Sequence, residues 1–138
     1  MTSPLDNLAK RDGPIVPEAK DEAEFAGLVR SARNRLADAR VRSLAPESRF
    51  DLPCSAAHGL CLAALRHRGF RPRHRYIVFQ ALPHTLGLGP EVWRVLSKAH
   101  EARNLAEYEG HVDVDERLLE DVIAACLVVS AAIDGLAS

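Results

Sequence analysis

The stretch from Leu118 to Ile133, LLEDVIAACLVVSAAI, does most to limit the folds open to this chain. Leu118, Leu119, Val122, Ile123, Cys126, Val129 and Ile133 recur at steps of three and four, which return side chains to one side of a helix. The segment is nevertheless apolar almost all round. A helix built from it belongs at the centre of a bundle or in a subunit interface. Asp113 and Glu116, three apart, form a capping-box signal at its start, because each side chain can satisfy a free backbone N–H of the first turn.

Four further helices follow from the same periodicity. Asp21 and Glu24 cap a first one, with Phe25, Leu28, Val29, Ala32, Leu36 and Ala39 on its apolar side, ending before Pro46. A second is predicted from near Asp51, with Pro53 in its first turn, Ala57, Leu60, Cys61, Ala64 and Leu65 inward, and Gly69 as the C-terminal stop. A third runs from about Arg73 through Tyr76, Ile77, Phe79 and Leu82. A fourth opens at Pro90 after the break GLGP, carries Val92, Val95, Leu96, Ala99, Ala102 and Ala106, and stops at Gly110. No segment alternates with period two. The predicted fold is all-α: an up-and-down bundle of about five helices over residues 17–138, preceded by a flexible arm over residues 1–16 punctuated by Pro4, Gly13 and Pro14.

The 138 residues suit one domain, and 47% hydrophobic with 27% charged residues is the balance of a globular protein. A net charge of -1 leaves nucleic-acid contact to a local basic patch. No apolar run reaches the roughly 18 residues that span a bilayer, and the N-terminus lacks the basic-then-apolar layout of a signal peptide. The expectation is therefore no membrane partner. Cys54, Cys61 and Cys126 are an odd count without CxxC, which fits a reducing, cytoplasmic setting. They read best as small buried hydrophobes. His58, His67, His74 and His84 lack metal-ligand spacing, and no phosphate loop, dinucleotide fingerprint or nucleophile elbow is present, so no metal or cofactor is expected.

Two clusters are left to carry chemistry. In KAHEARNLAEYEGH (98–111), His100, Arg103, Asn104 and Glu107 share one helical stripe beside the apolar face, with Tyr108 and His111 at the helix end. A guanidinium makes paired bonds to phosphate oxygens, and a histidine moves protons near neutral pH. An ordinary helix surface accounts for the same residues, with Arg103 and Glu107 as an i, i+4 ion pair. RHRGFRPRHR (66–75) places Arg66, Arg68, Arg71, Arg73 and Arg75 in what reads as an interhelical loop. These arginines suit a nucleic-acid backbone, or else a solvated turn paired with nearby acids.

The stripe HxxRNxxxYxG on a helical bundle resembles the HEPN family of small helical proteins. SLAPESRFDLPCSAAHGLCLAALRHRGFRP, IVFQALPHTLGL and VWRVLSKAHEARNLAEYEG extend the likeness over residues 20–135. The resemblance implies a homodimer, with RNA as ligand and a nucleotidyltransferase as partner. It also implies metal-independent endoribonuclease activity, as in the toxin of a two-component system. Members that lack the motif serve instead as non-catalytic modules binding a nucleotide or the nucleotidyltransferase. In the family motif an Arg and a polar residue precede a His after a short gap. Arg103 would hold the scissile phosphate, with Asn104 beside it. The family's histidine would fall at 108–110, where this chain has Tyr108, Glu109 and Gly110. His111, one position later, and His100, one turn earlier, are the two candidates for the proton-transfer role. Tyr108 is a candidate for modification or ligand contact, together with Glu107.

Overall fold

A computed structural model describes residues 3–110 and 115–137. In order, its elements are α1 (Pro4–Leu8), β1 (Ile15–Pro17), α2 (Glu22–Ala39), α3 (Pro46–His67), β2 (Phe70–Pro72), α4 (Ile77–Gln80), α5 (Leu82–Thr85), α6 (Pro90–Glu109) and α7 (Glu116–Asp134), with a 3-10 turn at Gly135–Ala137. The architecture is mostly helical, as the periodicity requires. Four long helices, α2, α3, α6 and α7, make the body.

Local chemistry explains most of the helix ends. Asp21 accepts hydrogen bonds from the backbone N–H groups of Ala23 and Glu24 at 2.9 and 3.1 Å, which starts α2. Asp115 caps α7 by accepting from Arg117 and Leu118. Asp113 lies outside the described residues. Pro90 occupies the first turn of α6, where its missing N–H costs nothing, and Gly110 ends that helix at φ 81°.

The central helix is α3, not α7. It packs against α2, α6 and α7 and against β2, α4 and α5. Ala56, Ala57, Leu60, Cys61, Ala63, Ala64 and Leu65 are all buried, so most of the circumference of its middle turns is covered. Its alanines explain how: small side chains let neighbours approach closely. At Gly59, α2 comes close enough that a Cβ would stand 3.4 Å from the Ala32 Cβ. Full burial of Leu60 and of Leu65 contributes about 2 kcal/mol each. By contrast α7 buries Leu119, Val122, Cys126, Val129 and Ile133 and leaves Leu127 and Val128 more than 40% exposed. Its all-round apolar character therefore has one inward and one outward half.

Three more expectations change. The second helix starts at Pro46 and passes through Pro53 instead of beginning near Asp51. The proline removes one helical donor, and the Cys126 thiol, 3.4 Å away, donates to the carbonyl of Pro53 itself. The helix expected from Arg73 to Leu82 is cut to two single turns, α4 and α5, and the strand β2 precedes them. Residues 70–72 pair antiparallel with β1 (Ile15 opposite Pro72, Val16 opposite Arg71, Pro17 opposite Phe70), and Pro83 interrupts the rest. The flexible arm expected over residues 1–16 is docked from Ser3 onward. Leu5 and Ile15 enter the core, and the ribbon ties Ile15–Pro17 to the end of α3. Three-residue strands with a proline each are too short to display alternation.

Candidate functional site

The stripe on α6 divides into a buried part and an open part. His100 is the buried part, only 2% exposed. Its ring stacks on His58 of α3 at 5.9 Å between centroids and meets Tyr76 edge-on at 5.4 Å and Phe79 at 5.5 Å. Tyr76 and Phe79 come from the short α4 region, which folds over α6 and covers this turn. Neither nitrogen of His100, nor Nε2 of His58, has a hydrogen-bond partner. Burial, reinforced by the Arg75 guanidinium and then Arg103, lowers the His100 imidazole to about 4. Burial, Arg75 and His100 do the same to His58, also to about 4. Both rings are neutral at neutral pH. The expectation that His100 offers a proton from the edge of the stripe is corrected: it is a core residue, walled off by two aromatic rings.

Arg103 is the open part, with its side chain 22% exposed. Its Nε donates to Asp51 Oδ1 at 2.9 Å and its Nη2 sits 3.2 Å from Glu107 Oε1. The i, i+4 pair is present, and a second carboxylate from α3 fixes the guanidinium from the other side. Asn104 donates from Nδ2 to the Tyr76 hydroxyl at 3.2 Å. The arrangement joins three elements at one place: Asp51 from α3, Tyr76 ahead of α4, and Arg103 with Asn104 from α6. A half-buried, pre-oriented guanidinium loses little entropy on taking a phosphate. Glu107, 63% exposed, is free to swing away in exchange.

The remaining candidates separate. Tyr108 is 94% exposed and points to solvent at the end of α6. His111 lies outside the described residues. Arg66 is not in a loop and is not available to a nucleic acid. It belongs to the last turn of α3, is 5% exposed, and serves the N-terminal segment. Its Nε donates to Glu24 at 2.6 Å, Nη1 to the carbonyls of Glu18 and Phe70, and Nη2 to the carbonyl of Ala19. Arg68 braces α5 by donating from Nε and Nη2 to the Thr85 carbonyl. Arg71 faces Glu18 at 3.6 Å with half its side chain in solvent. Arg73 and Arg75 are exposed, and Arg75 lies close enough to His58 and His100 to affect both rings.

Asp51 and Tyr76 are the site residues that sequence reasoning passed over. Asp51 was legible only as a helix start, and nothing in its neighbourhood announces a partner 52 positions away. Tyr76 was visible only as an aromatic beside the arginine run. The three thiols are buried and unpaired, as expected, and burial pushes the Cys54 thiol up to about 12. No helix among the described residues is long and apolar enough to cross a membrane. No protein-family model matches this chain, and no curated protein or solved structure matches it either.

Proposed function

We propose that this chain is a HEPN-type helical module that engages RNA through Arg103 and Asn104, acting as the toxin-like half of a cytoplasmic two-component system. The observation that carries the reading is the state of Arg103. It is an oriented guanidinium at an open edge, held by Asp51 and Glu107, with Asn104 tied to Tyr76 beside it. Arg75 and Arg73, exposed on the adjoining segment, add cations for neighbouring phosphates. Arg66 and Arg68 are left out of the interface, because their guanidiniums already serve the fold.

Cleavage at this site, without a metal, would have the ribose 2′-hydroxyl attack a phosphate held by Arg103 and break the P–O5′ bond, leaving a 2′,3′-cyclic phosphate and a 5′-hydroxyl, with His111 taking the 2′-hydroxyl proton and returning one to the leaving 5′-oxygen. His100 has no path to the phosphate. The burial of His100 favours a second reading, a non-catalytic module that binds a nucleotide or a nucleotidyltransferase partner through the same stripe. In either case the active form is taken to be a homodimer.

Incubation of the purified chain with total RNA in EDTA separates the two. Fragmentation that disappears in Arg103→Ala and in His111→Ala supports cleavage. Intact RNA with wild-type protein, together with retention of RNA or nucleotide on a filter, supports the binding module. No cleavage and no retention would overturn both cleavage and the binding of RNA or nucleotide.

A further inference from the structure

A cavity of about 450 Å³ opens beside Asp51, the partner of Arg103, between the last turn of α2, the α2–α3 connection and the first turns of α3. Val41, Leu44 and Leu52 give it apolar walls, and Ser48, Asp38 and Asp51 supply its polar groups. Asp51 is shared: one of its oxygens accepts from Arg103, and the same residue lines the cavity. A ligand whose phosphate rested on Arg103 would therefore have this cavity one side chain away.

The lining says what the cavity accepts. Two carboxylates repel a second phosphate, so the group that enters is not the backbone. Apolar walls with a few oriented polar groups suit a flat, largely apolar ring with donors along one edge. Single-stranded RNA presents such rings, read on their Watson–Crick edges once unstacked. The four bases differ in what they offer a carboxylate. Guanine presents two adjacent donors, N1–H and the 2-amino group, which match the two oxygens of one carboxylate. Adenine and cytosine each offer an amino group next to a ring-nitrogen acceptor, and uracil offers one N–H between two carbonyls. In those three, an acceptor faces the second carboxylate oxygen and repels it.

We propose that this cavity is a guanine pocket, with Asp38 accepting from the base edge while Arg103 holds an adjacent phosphate. The proposal rests on the reading of Arg103 as the phosphate-holding residue. The cavity also has the charge to take a cationic side chain. The shared Asp51 favours the nucleobase, because it couples the cavity to a phosphate site rather than to bulk solvent.

The test is a fluorescence-anisotropy titration with labelled nine-residue RNAs carrying 2′-fluoro ribose, so that no 2′-hydroxyl can attack. One probe is all uridine, one has a single central guanosine, and one has inosine there, which lacks the 2-amino group. The guanosine probe is expected to bind at least about fivefold more tightly than the uridine probe, the lower end of what one bidentate base contact discriminates. Inosine should lose most of that advantage. In Asp38→Asn the guanosine-to-uridine ratio should fall to near one. Leu44→Arg, which fills the cavity, should abolish the preference too, with circular dichroism confirming that both variants are folded. Equal affinity for all three probes, lost in Arg103→Ala, would overturn the pocket and leave the phosphate reading standing. Absence of binding by any probe would overturn both. Displacement of the guanosine probe by N-acetylarginine amide at lower concentration than by guanosine monophosphate would overturn the pocket in favour of a cationic occupant.

Discussion

Acidification should destabilise this protein through His58 and His100, and the size of the effect follows from their burial. Both rings have folded-state values near 4, below the ordinary 6.5 of an exposed histidine. The unfolded chain therefore takes up protons first as pH falls. Their contribution is intact above pH 6.5 and drains away between there and pH 4. At pH 5 a histidine with those two values costs about 2 kcal/mol of stability relative to pH 7, so the pair removes up to about 4 kcal/mol. That is a large part of the 5–15 kcal/mol typical of a whole domain. The assay is urea denaturation followed by circular dichroism at pH 7 and pH 5, on the wild type and on His100→Phe. Phenylalanine can join the ring cluster of Tyr76 and Phe79, and it removes two nitrogens that have no partner. The variant should match or exceed the wild type at pH 7 and lose about 2 kcal/mol less between pH 7 and pH 5. The comparison cancels other titrating groups common to both proteins, such as His67. An identical pH dependence in the two proteins, or a His100 ring resonance titrating near pH 6.5 in the folded protein, would refute the reasoning.

Other consequences are as direct. Arg66→Met should destabilise the fold by about 3 kcal/mol, read from the urea midpoint, because it strands Glu24 and the carbonyls of Glu18, Ala19 and Phe70. Little loss there would mean that the N-terminal segment is held by the ribbon and by Leu5 and Ile15 alone. Cys54, Cys61 and Cys126 should react with a thiol reagent only as fast as the protein opens, since all three are buried and burial raises each thiol above its usual value. Rapid native-state labelling of any of them would contradict the packing around α3.

Helix type and most helix ends were readable from local signals: Asp21, Pro90, Gly110 and the steps of three and four in α2, α6 and α7. What the sequence concealed was partnership across long distances. The apolar circumference of α7 pointed to a helix central in the bundle or at a subunit interface, and the alanine-rich α3 takes the central place, because small side chains let its neighbours close in. The arginine run 66–75 looked like one surface, but three of its members, Arg66, Arg68 and Arg71, had carbonyl or carboxylate partners elsewhere in the fold. On α6, spacing put His100 and Arg103 on a common stripe. Spacing carries no information about where the neighbouring α4 ends, and α4 buries His100 while leaving Arg103 open. Asp51, the residue that orients Arg103, had no local sign of a partner on α6.

The central claim is that Arg103 is the phosphate-holding residue of an RNA-engaging face. It is tested most directly by titrating labelled single-stranded RNA with wild type and Arg103→Ala at several salt concentrations. The expected result is binding that weakens as salt rises, with affinity lowered at least about tenfold and a shallower salt slope in the variant. Indistinguishable titrations for the two proteins, or no binding by the wild type at low salt, would contradict it.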